Sequence, residues 1–251
     1  MLGDKAQAKK TMEEAGVPVI TGSKGAVKTV QEALQVAEKV GYPVLVKASA
    51  GGGGRGIRRI DTPAEMEDQI TIAQQEALNF FGDSSVYIEK LILQPKHIEV
   101  QILADNYGNT VYLGERDCSM QRRKQKVLEE TPSPIMTSEL RKKMGEDAVK
   151  AAKACGYKNA GTIEFLVDKD MNYYFMEMNT RIQVEHPITE EVTGIDLVKS
   201  QIKIASGEKL EYTQDDIHIQ GHAIECRINA ENPNLNFRPS PGKIEALHIP
   251  G

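Results

Sequence analysis

Residues 47–60 read KASAGGGGRGIRRI, with five glycines in the six positions 51–56. What flanks this run decides the fold. Gly51, Gly53 and Gly56 spell G-x-G-x-x-G, which in a dinucleotide-binding unit opens a helix whose N-terminus faces a pyrophosphate. Here YPVLVKAS (42–49) before the run and IRRI (57–60) after it both read as strands. The glycines therefore join two strands, and the dinucleotide match is a decoy. A Walker phosphate loop is excluded as well, because Ile57 follows Gly56 and no G-K-[ST] occurs there. Two readings stay open for the hairpin tip. It is either a mobile surface loop or a flap whose backbone N–H groups, unhindered by Cβ atoms and aided by Arg55, approach phosphate oxygens.

Working outward, helices are expected over 4–15, stopped at Gly16, and over 29–40, stopped at Gly41. A third starts at Pro63 and stops at Gly82. VYIEKLI (86–92) reads as a strand, followed by a hairpin of HIEVQILA (97–104), a DNYGN turn and TVYLGERD (110–117). Ile98, Val100 and Ile102 alternate with His97, Glu99 and Gln101, the pattern of a sheet with one buried face. A basic loop comes next, then a helix from about Ser138 to Cys155 and a second hairpin, GTIEFLV (161–167) and YYFMEMN (173–179). A helix over Asp196–Ser206 and a last strand, HAIECRINAE (222–231), complete the chain. The order is α+β, with a leading helix (1–19), a smaller unit around the glycine hairpin (20–91) and a larger one (92–251).

At 251 residues with 40% hydrophobic and 27% charged residues, the chain can bury a real core and has no run long enough to span a membrane. The N-terminal MLGDKAQAKK lacks the apolar centre of a secretory signal, and three cysteines without a C-x-x-C pair suit a reducing cytoplasm. A net charge of −5 argues against a nucleic-acid or anionic-membrane partner. One segment departs from that balance: RDCSMQRRKQK (116–126) carries five cationic side chains against one Asp. It reads as a solvated loop or as a site for a small polyanion.

The residues that carry chemistry lie further on. Read with a strand period of two, Glu177, Asn179, Arg181, Gln183 and Glu185 share one face. That stripe alone is compatible with a solvent-facing edge. However, Glu164 sits among apolar residues on the strand expected to pair with the one bearing Glu177, so the two carboxylates converge near Asn179. Two carboxylates and an amide oxygen are hard ligands that suit Mg²⁺, which keeps waters and phosphate in its shell. Without H-E-x-x-H or a Cys/His cluster, zinc is disfavoured. Lys47 ends a buried strand just before the glycines, where an amine either meets an anion or snorkels outward. Positioned cations around phosphate are what phosphoryl transfer requires.

Taken together, GDK (3–5), KASAGGGGRGIR (47–58), YIEK (87–90), ERDCSMQRRKQKV (115–127), EMNTRIQVEHPITE (177–190) and ECRINAE (225–231) resemble biotin carboxylase, the ATP-grasp component of acetyl-CoA, propionyl-CoA and pyruvate carboxylases. The resemblance spans essentially the whole chain and implies an ATP-grasp fold, two α+β lobes clasping the nucleotide. It implies that Lys5 and Lys47 meet ATP phosphates, that Gly51, Gly52, Gly53 and Gly54 form the closing flap, and that His97 contacts ribose or phosphate. Glu89, Lys90 and Leu91 would read adenine through their backbone, with Ile57, Leu166 and Met176 lining that pocket. Glu164, Glu177 and Asn179 would hold Mg²⁺, or Mn²⁺ in its place. Lys126, Arg181, Gln183 and the Val184 backbone would bind bicarbonate, Glu185 would deprotonate it, and Arg227 would steady the biotin enolate.

The activity so implied is carboxylation of biotin through carboxyphosphate, with biotin carried by a carrier protein and passed to a carboxyltransferase. The compartment would be the cytoplasm, or the mitochondrion for a eukaryotic carboxylase. The family pattern extends beyond both ends of this chain, so the implied object is the ATP-grasp core. Lys124 stands where some relatives carry His or Asn, and no role is implied for it. Two rival readings remain: an ATP-grasp ligase joining a carboxylate to an amine, and a nucleotide-binding fragment without turnover.

Overall fold

The computed structural model describes residues 5–49 and 57–248. The glycines at 51–54 and the side chain of Lys5 lie outside the described residues. Two antiparallel sheets organise the chain. The smaller has the order β2-β1-β3, from β1 (Val44–Ala48), β2 (Ile57–Ile60) and β3 (Val86–Lys90). Lys47 pairs with Ile57 across β1 and β2, so the run at 50–56 does connect two antiparallel strands. Helices α2 (Val30–Val40) and α3 (Met66–Phe81) pack on this sheet and bury Ala33, Ala37, Met66, Ile70 and Ala73 against Val44, Val46, Ile60 and Ile88. Thr29 caps α2 by accepting from the Glu32 amide, which satisfies one of the amides a helix start leaves unpaired.

The larger sheet runs β8-β7-β4-β5-β6-β9, with β4 (Lys96–Ala104), β5 (Thr110–Arg122), β6 (Gln125–Thr131), β7 (Asn159–Val167), β8 (Tyr173–Asn179) and β9 (Ala223–Cys226). One face is apolar. Ile98, Val100, Ile102, Ile163, Phe165, Val167 and Phe175 form a core with Met12 of α1 (Lys5–Glu14) and the small-residue face of α4 (Ser138–Ala154). Each of these aliphatic and aromatic side chains contributes roughly 1.5–3 kcal/mol on burial. The other face carries His97, Glu99 and Gln101, which register against Leu166, Glu164 and Thr162 of β7; Glu99 also registers against Arg116 of β5. Helix α5 (His186–Thr193) packs over β5, β6 and β9, and α6 (Leu197–Ala205) follows it.

Several sequence expectations change. The alternation in β4 does not mark a solvated face, because Glu99 and Gln101 are as buried as Ile98 and Ile102. The basic stretch 116–126 is strand and tight turn, not a loop: β5 continues to Arg122, and Arg123 and Lys124 turn with positive φ before β6. The polar stripe keeps its strand period only to Asn179, after which the chain leaves the sheet and enters α5 at Glu185. The third helix begins as a short 3₁₀ turn at Pro63–Glu65, and the last strand ends at Cys226. No described helix is long and apolar enough to cross a membrane.

The segment leading from α1 stitches the two sheets together. Val19 bridges Phe175 of the large sheet, while Gly22 and Val27 bridge Glu89 and Val86 of the small one. A Cβ placed on Gly22 would lie 2.1 Å from the Ile88 carbonyl oxygen and 3.0 Å from the Glu89 Cα. Both are backbone atoms that cannot swing away. Gly22→Ala should therefore lower stability by about 2 kcal/mol or more, read as a drop in the urea midpoint; an unchanged midpoint would show that the stitch is not tight.

Candidate active site

The buried polar face of the large sheet is a charge network built around two cations. Arg116 is completely buried and uses all five of its N–H donors. Nε donates to Glu99 Oε1 at 2.6 Å, Nη1 to Gln101 Oε1 at 2.8 Å and Thr189 Oγ1 at 2.9 Å, and Nη2 to Gln183 Oε1 at 3.2 Å and Thr162 Oγ1 at 3.3 Å. Lys126, on β6, spends its three donors on three carboxylates: Glu99 Oε2 at 2.5 Å, Glu185 Oε1 at 2.8 Å and Glu164 Oε1 at 2.9 Å. Burial opposes the ammonium charge, but Glu99, Glu164 and Glu185 outweigh it and push the lysine pKa up. Burial would likewise raise Glu99, yet Arg116 and Lys126 hold it below the usual carboxylate range.

Glu164 is a second meeting point. It pairs in register with Glu177 across β7 and β8, the strand pairing expected from the sequence. Its Oε1 also accepts from Asn179 Nδ2 at 2.8 Å and Gln183 Nε2 at 3.1 Å. His97 Nε2 lies 2.9 Å from Oε2 but makes no aligned hydrogen bond to it. Although burial alone would raise Glu164, His97 and Lys126 hold it at about 2. Glu177 is half-buried with no hydrogen-bond partner among the described residues; burial first, then the charges of Glu89 and Glu177, push the Tyr87 hydroxyl of β3 up.

This donor set fits a hard divalent cation: two facing carboxylates, one of them free, with an amide oxygen still open on Asn179. Glu99, Cys118 and Glu185 also bring ligand atoms within 4.8 Å of one another. There the Lys126 ammonium already sits against both carboxylates, and burial with the neighbouring Glu99 pushes the Cys118 thiol up, so that cluster is a cation site filled by the protein itself.

On the small sheet, Glu89 Oε2 accepts from Lys47 at 2.6 Å and Oε1 from Lys9 of α1 at 3.1 Å. Burial would raise this carboxyl, but Lys47 and Lys9 hold it down. The Lys90 amine is tied to the Gly41 and Tyr42 carbonyls, and the backbone amides of Lys90 and Leu91 donate to Thr21 and Pro43. Ile57 pairs with Lys47, and Leu166 with His97; Ile57, Leu166 and Met176 are all half-buried.

The structure thus brings together Lys126, Glu164, Glu177, Asn179, Gln183, Glu185, His97 and Arg227. Arg227 donates to Glu185 Oε2 at 2.9 Å and to Glu129 Oε1 at 2.7 Å. Arg181 and Val184 make no hydrogen bond or ion pair with these residues. Arg181 is exposed and donates only to the next residue's carbonyl, at 3.1 Å, and Val184 is 59% exposed. Sequence reading missed Glu99, Arg116, Thr189, Glu129 and Lys9. For Glu99 and Arg116 the available signal was charge set into strands that are otherwise apolar.

Residues 4–213 match the family model described as carbamoyl-phosphate synthase L chain, ATP binding domain. The chain belongs to this family. Within it, the chain is 60% identical over its whole length to a biotin carboxylase of Nostoc sp. and 59% identical to biotin carboxylase 1 of Bacillus subtilis, covering 56% of each. Among solved structures it matches the biotin carboxylase domain of the Hydrogenobacter thermophilus 2-oxoglutarate carboxylase, in complex with MgADP, ADP and bicarbonate, at 55% identity and a TM-score of 0.92, covering 100% of this chain and 55% of that one. A Campylobacter jejuni biotin carboxylase in a β-γ-ATP complex matches at 50% identity and 0.93, covering 100% and 56%. The fold is the α+β ATP-grasp fold of these structures, and the chain spans about half the length of the relatives it matches.

Two outcomes check the network. Arg116→Met removes the partner of a fully buried carboxylate and should destabilise the chain by about 3–5 kcal/mol; a change under about 1 kcal/mol in urea denaturation would contradict this. Glu89→Gln should destabilise by about 3 kcal/mol at pH 7. The folded Glu89 carboxyl lies below its unfolded value, so its stabilisation is present above the unfolded pKa of about 4.3 and lost as pH falls through the folded one. The gap between wild type and Glu89→Gln should therefore close on acidification, and a gap that widened would refute the assignment.

Proposed function

We propose that this chain carries the ATP-dependent carboxylation of biotin with bicarbonate. The observation that carries this reading is the Lys126 ammonium held among Glu99, Glu164 and Glu185, with Arg227 on the second Glu185 oxygen. In this reading Glu185, flanked by two cations, is the base, and Glu164 and Glu177 form the carboxylate pair suited to a metal. Glu164, Glu177 and Asn179 would hold Mg²⁺, or Mn²⁺, which when bound supplies positive charge to the phosphates. Lys47, with Lys5 and the glycine flap, would pair with the phosphate oxygens; Lys47 donates to Glu89 at 2.6 Å. The backbone of Glu89, Lys90 and Leu91 would meet adenine beside Ile57, Leu166 and Met176, and His97 the ribose or phosphate.

Lys126, Gln183, the Val184 backbone and Arg181 would hold bicarbonate so that Glu185 takes its proton. The bicarbonate oxygen then bonds to the γ-phosphorus as the bond to ADP breaks, giving carboxyphosphate. Carboxyphosphate separates into CO₂ and phosphate; phosphate takes the ureido N–H proton of biotin, and Arg227 steadies the resulting enolate while nitrogen bonds to CO₂. Biotin would arrive on a carrier protein and leave to a carboxyltransferase, in the cytoplasm.

A carboxylate–amine ligase of the same fold would share the phosphate and metal residues and differ at the acceptor. Phosphate release from MgATP in the presence of biotin should therefore depend on bicarbonate. Arg181→Ala should abolish that dependence while leaving nucleotide affinity within about threefold, less than the tenfold that about 1.4 kcal/mol represents. Equal loss of both would oppose the assignment. Thermal stabilisation by MgATP without any ADP formed would favour a binding module instead.

A further inference from the structure

Glu129 is fully buried, yet no expectation from the sequence gave it a role. Its Oε1 accepts from Arg227 Nε at 2.7 Å. Its Oε2 is buried with no hydrogen-bond partner among the described residues. A carboxylate left half-satisfied in the interior is unfavourable, and burial pushes its pKa up, opposed by the bond to Arg227. Directly opposite on β9, Glu225 also buries one oxygen without a partner, which adds repulsion instead of relief. An uncharged residue of the same shape would serve packing better. What Glu129 does provide is a fixed anchor for one side of a guanidinium whose Nη2 reaches Glu185 Oε2 at 2.9 Å. Arg227 is only partly exposed, with 25% of its side chain open, and Nη1 makes no hydrogen bond to the described residues. The guanidinium is thereby gripped along its Nε–Nη2 side with the remaining edge open.

We propose that Glu129 is the positioning residue for Arg227, holding the guanidinium so that its Nη1 edge is presented to the oxygen of the carboxyl acceptor. The proposal rests on the biotin-carboxylating reading and deepens it. Glu129 itself touches no substrate; it acts through Arg227.

The test uses Glu129→Gln, which keeps the volume and one acceptor but removes the charge, with Glu129→Asp as the conservative partner. Both are assayed on this chain by bicarbonate-dependent phosphate release against free biotin. Glu129→Gln should raise the KM for biotin about tenfold, the scale of one charge-assisted hydrogen bond, and leave the KM for ATP within about twofold. Glu129→Asp should recover part of the loss. In an Arg227→Ala background Glu129→Gln should add nothing, since its partner is gone.

A biotin KM within about twofold of wild type, or a loss that multiplies with that of Arg227→Ala, would overturn the proposal. If wild type shows no bicarbonate-dependent release, the functional reading fails, and the geometry is tested separately. The Arg227 Nε–H resonance, assigned by its disappearance in Arg227→Lys, should exchange slowly with solvent in wild type and rapidly in Glu129→Ala. Slow exchange retained in Glu129→Ala, in a variant with native dispersion, would overturn the positioning role.

Discussion

A guanidinium with no access to water holds this structure's polar side in place. Arg116 has five donors and five acceptors, drawn from β4, β7, α5 and the segment that enters α5. Lys126 on Glu185 and Glu164 on Gln183 tie the same helix-entry segment to the sheet. Gln183 accepts from Arg116 while donating to Glu164, so the loop that delivers Glu185 is located by the same group that neutralises Glu99. Burying charge at this density is not a route to stability: desolvation of ion pairs consumes much of their attraction, and apolar replacements of similar shape are often as stable. The arrangement makes sense as positioning. It fixes an ammonium between acids and keeps Glu99 and Glu164 ionised where burial would otherwise protonate them.

The two faces of the large sheet divide the work. Ile98, Val100, Ile102, Ile163 and Phe165 supply the apolar burial against α1 and α4, while the residues between them in sequence form the site. Cross-strand register then does the fine placement. Glu99 lies opposite both Arg116 and Glu164, and Glu164 opposite Glu177, so a slip of one residue would move every one of these groups to the core face. The small sheet contributes Glu89, on which Lys47 of β1 and Lys9 of α1 gather, and the segment through Gly22 is bridged to that sheet.

Much of this was legible in the sequence because periodicity and turn chemistry are local. The glycine run lies between two paired strands, and Glu164 registers against Glu177 in the hairpin. The failures share a cause. Alternation cannot distinguish a polar face that meets water from one that meets its own counter-charges, so Glu99 and Gln101 read as a solvated side of β4. The cations of 116–126 read as a loop because their partners, Glu99, Glu185 and Glu231, lie far away in sequence. Helix α5 was hidden by an approach that looked like strand, and the outward placement of Arg181 follows from the chain leaving the sheet at Asn179. Glu129 left no signal, since its meaning depends on Arg227 about a hundred residues later.

The central claim is that the buried charges are kept to place Lys126 and Glu185 rather than to hold the fold. The measurement that tests it most directly replaces the Arg116–Glu99 pair together, Arg116→Met with Glu99→Leu, and follows the urea midpoint and bicarbonate-dependent phosphate release in one protein. Lys126 would still have Glu164 and Glu185. The account predicts a midpoint close to wild type, well above that of Arg116→Met alone, with phosphate release lost. Release at the wild-type level from a stable double variant would contradict it.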